Sequence, residues 1–257
     1  MDMVPAPLDF YDALAEHYHL LFEDWNQSIV RQGTVLNAIL RSVLPRSPLR
    51  LLDCACGIGT QAIGFAQAGH QVVASDLSPA ALARAIGEAE RRGLPISCTV
   101  SDMTSLAEID GDDFDVVAVM DNALPHLTSS QLAQAARAMG SKLKPQGVLI
   151  ASIRDYDQLM VDRPIVHGPA FYGAAGTRRI VHQVWDWIDK ERYVFHVYIT
   201  QQSGDAWISH HFASEYRCLL RGELTSALND AGFGEVRWLT PADSGYYQPI
   251  VLATKER

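Results

Sequence analysis

Hydrophobic positions recur at helical spacing near the start of the chain. Phe10, Leu14, Tyr18, Leu21 and Phe22 form one series; Ile29, Val35, Leu36, Ile39, Leu40 and Val43 form a second. They predict two helices over 9–44, with Pro45 and Pro48 punctuating the exit. From there apolar runs at 49–54, 70–75, 96–101, 114–120 and 148–153 read as strands. Helical stretches separate them at 61–68, 79–92 and 129–143, and Lys144-Pro145-Gln146-Gly147 reads as a turn into the fifth strand. Ser78 stands at a cap position before Pro79, and Gly93 ends that helix. Strands that are apolar throughout and separated by helices predict a parallel sheet covered on both faces.

The rhythm changes after Ile153. Residues 180–188, 193–200 and 207–216 are rich in Val, Ile, Trp, Tyr and Phe, with Asp189-Lys190-Glu191 and Ser203-Gly204-Asp205 as the turns between them. They predict a three-stranded antiparallel meander inserted into the α/β pattern. A helix over 221–231, stopped by Gly232, and strands at 236–239 and 249–254 complete a sheet of about seven strands. The expected organisation is an N-terminal helical cover over 1–48, a core over 49–160, the β insertion over 161–217, and a C-terminal return to the core over 218–257.

Composition adds bounds. At 257 residues, 48% hydrophobic and 20% charged, the chain has the makeup of a soluble globular protein. No apolar run approaches the ~18 residues of a membrane span. Residues 1–7 have neither the basic end nor the apolar centre of a signal peptide, so a cytoplasmic location without membrane attachment is the expectation. The four cysteines are expected to be free thiols. A formal net charge of −9 disfavours DNA as a partner. It leaves room for a small acidic molecule, which a single arginine can hold. A homo-oligomer is left open.

The most informative segment is Leu51-Leu52-Asp53-Cys54-Ala55-Cys56-Gly57-Ile58-Gly59-Thr60. An apolar strand runs into an acidic residue and then a tight loop of small residues before a helix. Glycine there lets backbone approach a nucleotide-like ligand. The plain structural reading is a tight turn with a capping Asp. Gly57 to Ala62 also satisfies the loose G-x-G-x-x-A pattern of dinucleotide binding, and Asp76, ending the second strand, suits ribose hydroxyls in either case. Asp53 argues against a pyrophosphate, which its charge would repel, and tolerates a cationic sulfonium ligand.

Taken in order, these features resemble class I S-adenosylmethionine-dependent methyltransferases. Ser101-Asp102-Met103 resembles the family's adenine-binding step, Met120 to His126 falls where the family lines the methyl-transfer face, and Leu143 to Gly147 resembles its K/R-P-x-G turn. The resemblance implies a doubly wound, Rossmann-like α/β fold, S-adenosyl-L-methionine as cofactor, and cofactor contacts from Asp53, Ala55, Gly57, Gly59, Asp76, Leu77, Asp102, Met103 and Met120. Asp121-Asn122-Ala123-Leu124-Pro125-His126-Leu127 is similar to the G-N-S-x-x-H-L stretch of glycine and sarcosine N-methyltransferases. Ile153-Arg154-Asp155-Tyr156-Asp157 is similar to their H-R-N-Y-D stretch. That branch implies a substrate carboxylate on Arg154 and a methionine carboxylate on Arg31. It implies a site lined by Asn122, His126 and Tyr11, and family tyrosines near Tyr172, Tyr198 and Tyr216. Asp121 and Ala123 depart from the branch, replacing glycine and serine, as does Ile153, replacing histidine.

The expected reaction is methyl transfer to a small molecule, an amine or amino acid, with His126 a candidate base. O-methylation, a nicotinamide oxidoreductase and a non-catalytic cofactor-binding protein remain alternatives. For Arg154 the competing reading is a structural salt bridge to Asp155 or Asp157. His210 and His211 point to opposite strand faces, and Cys54 with Cys56 makes a weak zinc signal, so no metal is expected. Trp185 and Trp187 are expected to pack, with a wall of the substrate cavity as the alternative.

Overall fold

A computed structural model describes residues 4–256. Residues 1–3 of the segment read above as lacking a signal peptide lie outside it. The chain enters through helix α1 (Pro7–Leu14), a short 3-10 turn (Tyr18–Leu21) and the long helix α2 (Trp25–Val43). Then come β1 (Arg50–Asp53), α3 (Thr60–Gln67), β2 (Gln71–Asp76), α4 (Pro79–Arg91), β3 (Ile96–Val100), β4 (Phe114–Val119), α5 (Ser129–Lys142) and β5 (Leu143–Ser152). The insertion holds α6 (Tyr156–Asp162), β6 (Val166–Tyr172), β7 (Arg179–Trp187), β8 (Arg192–Ser203) and β9 (Ala206–Arg217). The chain returns through α7 (Arg221–Asp230), β10 (Phe233–Leu239), α8 (Pro241–Ser244) and β11 (Ile250–Lys255).

Seven strands form one sheet in the order β10-β11-β5-β4-β1-β2-β3. The five from β3 to β5 are parallel, and β11 joins β5 antiparallel. This is the expected doubly wound, Rossmann-like sheet. Alternation along each strand divides the core in two. Leu52, Val117 and Leu149 face α5 and α7; Leu51, Val116 and Ile150 face α2 and α3. All six are at most 1% exposed, which is why the strands carry no polar alternation. The carboxyl ends of β1, β2, β4 and β5 share one edge, placing Asp53, Asp76, Met120 and Arg154 together.

Helix α2 crosses α3 at a glycine pair. A Cβ on Gly33 would lie 2.8 Å from the Gly64 Cα, so only glycine permits the approach. Trp25 Nε1, donating to Thr60 Oγ1 at 2.9 Å, pins the same crossing.

Three expectations need correction. The antiparallel sheet has four strands, β6-β7-β8-β9. The missed strand, β6, is an edge strand interrupted by Gly168-Pro169; proline removes a ladder donor and hides the strand pattern. Helix α6 was not foreseen, and the expected boundary at 160 falls inside it. Residues 144–147, expected as a turn, belong to an extended β5 whose pairing with β4 shifts register before Val116, with Gln146 at φ +63°.

Candidate active site

Two contiguous cavities open at the carboxyl edge of the large sheet. They share the walls formed by Tyr11, Tyr18 and Asp121. The first, about 310 Å³, lies over the glycine loop; the second, about 570 Å³, lies beneath the antiparallel sheet.

The loop builds the first cavity. Backbone at Ala55, Cys56, Gly57 and Ile58 forms its floor. Gly59 caps α3 at φ +90°, and a Cβ there would meet Ala85 of α4 at 3.2 Å. Gly59 therefore packs α3 against α4 and is not on the wall, unlike its expected ligand contact. Asp76, at the end of β2, accepts hydrogen bonds from the Gly57 amide at 2.7 Å and the Ser78 amide at 2.9 Å. It thus fixes the loop and lines the cavity at once. Burial pushes its carboxyl above the usual range, and those amides oppose the shift. Leu77, Met103 and Met120 supply apolar walls, and Asp102 holds the Thr104 amide at 2.8 Å through one oxygen.

Asp53 departs from expectation. It is 0% exposed, sits behind the loop rather than on the wall, and neither carboxylate oxygen makes a well-formed hydrogen bond among the described residues, although the Ala55 and Ala62 amides lie near. Burial, then the charges of Asp76 and Asp121, raise its pKa to about 8; the amides of Ala55 and Ala62 offset this only in part. The first cavity thus carries Asp76, Asp102 and Asp121 on its wall and no lysine or arginine. Such a wall repels a pyrophosphate and suits a ligand bearing cationic groups beside a nucleoside. S-adenosylmethionine meets that description.

Helix α1 covers this cavity. Asp12 accepts from Ser78 Oγ at 2.5 Å and from the Ala80 amide at 3.2 Å, which ties α1 to the start of α4. That placement brings Tyr11 to the junction of the cavities, where its hydroxyl lies 3.1 Å from His126 Nε2 and 3.3 Å from the Tyr216 hydroxyl. Burial lowers the His126 pKa to about 4, the Glu215 backbone opposing and the Arg154 charge adding to the shift. The ring is therefore neutral near pH 7.

In the second cavity the central feature is Arg154. Its guanidinium carbon lies 4.8 Å from the Trp185 ring centre, 4.9 Å from Phe195 and 5.7 Å from Tyr216. Nη1 donates to the Tyr193 hydroxyl at 3.0 Å. A closed ring of hydrogen bonds then fixes the residue. The Tyr193 and Tyr156 hydroxyls are 3.1 Å apart, Asn122 Nδ2 donates to Tyr156 at 2.9 Å, and the Arg154 amide donates to Asn122 Oδ1 at 3.0 Å. Asp155 and Asp157 pair with Arg221 instead, so the salt-bridge reading is not realised. Among the described residues no carboxylate pairs with Arg154. A cation held in an aromatic cage beside a cavity, without an internal anion, is a ready seat for an external one.

Arg31 lines the second cavity, which adjoins the first along Tyr11, Tyr18 and Asp121. Trp185 lines the second cavity too, and Trp187 does not. Of the three tyrosines placed by resemblance, only Tyr216 reaches a cavity. Tyr198 stacks between His182 and His211 on the outer sheet face, and Tyr172 packs under Arg179. His210 and His211 do point apart, toward His17 and His196 respectively. Among the described residues no group of three or more His, Cys, Asp or Glu side chains is arranged to hold a metal, and no helix is long and apolar enough to cross a membrane.

Several residues at or behind the wall stand outside the expected set; Tyr247 lines the second cavity and Tyr246 is buried behind it. Tyr246 and Tyr247, in the connection before β11, each donate to Asp121 Oδ1 at 2.5 Å, and Gln61 Nε2 donates to Oδ2 at 2.6 Å. Asp121 itself adopts φ +56°. The only sequence signal was its departure from glycine in the fourth motif.

The sequence profile of a family described as a methyltransferase domain matches residues 51–147. A glycine/sarcosine N-methyltransferase of Parasynechococcus marenigrum (strain WH8102) is 32% identical over 138 residues, 53% of this chain and 48% of that protein. The chain spans about half the length of the curated relatives it matches. Among solved structures, a sugar N-methyltransferase of Streptoalloteichus sp ATCC 53650 superposes with a TM-score of 0.76 at 20% identity, over 95% of this chain and 94% of the other. An S-adenosylmethionine-dependent methyltransferase of Clostridium acetobutylicum ATCC 824 gives 0.74 at 15%, over 97% and 98%. Those two likenesses establish the fold. Residues 51–147 carry a methyltransferase domain, and the chain has the fold of S-adenosylmethionine-dependent methyltransferases.

Proposed function

We propose that this protein transfers a methyl group from S-adenosylmethionine to the nitrogen of a small amine or amino acid whose carboxylate is held by Arg154. One observation carries the reading: an arginine without an internal anion, locked by Asn122, Tyr156 and Tyr193, in a cavity that joins the glycine-loop cavity. The relatives named glycine/sarcosine N-methyltransferase support nitrogen as the acceptor atom.

On this reading Asp76 would bind ribose hydroxyls with its remaining acceptor capacity, Met103 and Leu77 would enclose the adenine, and Asp102 would accept from its amine. Asp53 would stay behind the loop, out of contact with the cofactor. When bound, the cofactor supplies a methyl group on a sulfonium whose leaving group is a neutral thioether. The protein's own task is then orientation, which is worth up to ~7–11 kcal/mol of barrier. Arg154 and its ring of hydroxyls fix the acceptor's carboxylate end. Tyr11 and Tyr216 present hydroxyl oxygens at the junction, where positive charge spreads during transfer. Neutral His126, hydrogen-bonded to Tyr11, is placed to take a proton at Nε2 through that hydroxyl. Helix α1, tied down by Asp12, excludes water from above.

The test is a screen of small amines and amino acids with isotopically labelled methyl donor, with calorimetric titration of S-adenosylmethionine and NAD in parallel. Binding of S-adenosylmethionine and labelled N-methyl product from a carboxylate-bearing amine is expected. Preferential NAD binding would overturn the assignment. Labelled product only from alcohols or phenols would replace nitrogen by oxygen.

A further inference from the structure

The second cavity is far larger than a two-carbon amino acid needs. Its 570 Å³ compares with ~30 Å³ for each water in the liquid, so a molecule the size of glycine would leave most of it wet. The space instead falls in the ~300–1,000 Å³ range of sites for larger ligands. Beside its polar residues, the lining carries six large apolar side chains: Phe10, Leu14, Leu21, Phe22, Trp185 and Phe195. Phe10, Leu14, Trp185 and Phe195 are each under 7% exposed and belong to the core, so this wall is rigid. An apolar wall of that extent leaves a polar two-carbon acceptor with nothing to bury against it.

The cavity also carries opposite charges. Arg154 offers an anion seat. Asp121 stands on the wall shared with the glycine-loop cavity, where the reacting nitrogen of an acceptor must come. Its oxygens accept from Tyr246, Tyr247 and Gln61, and a carboxylate has about four acceptor positions, so capacity for a further donor remains. Those three donors are neutral. Among the described residues no lysine, arginine or histidine pairs with Asp121, so its charge has no internal counterion.

We propose that the acceptor is a zwitterion with a bulky apolar or aromatic body, its carboxylate on Arg154 and its ammonium directed to Asp121, and that glycine-sized amino acids are poor substrates. The proposal rests on the amino-acid reading above and narrows it. Asp121 is then a specificity residue: it brings the nitrogen to the junction of the cavities, where the ammonium gives one proton to His126 through the Tyr11 hydroxyl before attack, and rejects acids that lack a nitrogen. A residue that departs from the glycine of the resembling branch thereby gains a role that a glycine cannot perform.

Four probes separate the parts. L-phenylalanine carries both charges and a body. Glycine lacks the body, 3-phenylpropanoate lacks the ammonium, and 2-phenylethylamine lacks the carboxylate. Dissociation constants are measured by calorimetry on the full chain saturated with S-adenosylhomocysteine. Phenylalanine is expected to bind at least tenfold tighter than each of the other three. Asp121→Asn should remove its advantage over 3-phenylpropanoate while keeping its advantage over 2-phenylethylamine. Arg154→Gln should do the reverse. A thermal melt of each variant, with a retained S-adenosylhomocysteine affinity, shows that the site is intact. Glycine binding as tightly as phenylalanine would overturn the size argument. An Asp121→Asn variant that keeps the phenylalanine to 3-phenylpropanoate ratio would overturn the ammonium seat. If that variant instead loses S-adenosylhomocysteine tenfold or more with the ratio unchanged, Asp121 serves the cofactor's ammonium and the proposal falls. Failure of the wider amino-acid reading looks different: Arg154→Gln would leave every probe unaffected.

Discussion

Replacing Asp53 by Asn should make the cofactor-free protein more stable above neutral pH. Asp53 is fully buried, makes no well-formed hydrogen bond among the described residues and faces the charges of Asp76 and Asp121, and the Ala55 and Ala62 amides only partly offset a pKa of about 8. In the unfolded chain the same carboxyl ionises near ~3.9. A carboxyl whose folded pKa is raised stabilises the fold fully below its unfolded pKa. That contribution is lost as pH rises toward the folded pKa, because the native state then binds more protons than the unfolded one. At ~1.4 kcal/mol per pKa unit the loss between about pH 4 and pH 8 is on the order of several kcal/mol, a large share of a typical ~5–15 kcal/mol total. Asparagine keeps the shape and does not ionise. Urea unfolding of both proteins without cofactor, from about pH 5 to about pH 8.5, gives the difference between them at each pH, so titrations common to both cancel. The variant's relative stability should climb by at least ~2 kcal/mol across that window. A difference that stays flat would mean that Asp53 carries no raised pKa and that its burial is compensated by contacts not identified above.

Asp76→Ala should weaken S-adenosylmethionine binding by about 1–3 kcal/mol in calorimetry, through lost ribose bonds and a freed Gly57 amide; an unchanged affinity in a folded variant would leave Asp76 a loop clamp alone. Arg154→Lys keeps the charge and loses the planar fork, so the acceptor's apparent KM should rise about tenfold or more while cofactor affinity holds; wild-type kinetics would remove Arg154 from the acceptor site. Gly64→Ala should cost about 1–3 kcal/mol in urea unfolding, since its Cβ would stand 2.9 Å from the Gly33 Cα. Gly87→Ala, with nothing within 4 Å, is the control expected to be neutral or stabilising.

The sequence by itself determined the α/β order, because apolar strands, capped helices and glycine stops are local signals. Ser78 before Pro79, Gly93 and the run from Leu51 to Thr60 each fix a boundary through backbone chemistry that needs no distant partner. The carboxylate at a strand end, as in Asp76, was legible for the same reason. Only the tertiary structure decided which side chains meet. Asp53 and Asp76 look alike along the chain, yet the loop between them buries one and leaves the other on the wall. Arg154 could pair with Asp155 or Asp157 in sequence. Arg221, arriving more than sixty residues later, takes both and leaves Arg154 to an aromatic cage. Strand β6 was hidden because an edge strand with a proline needs a neighbour to define it. The Tyr246 and Tyr247 hydroxyls reach Asp121 across 125 and 126 residues, a contact set by sheet closure through β11. Local patterns encode elements; long-range pairing of charge and hydroxyl depends on how those elements close on one another, and here that closure forms the site.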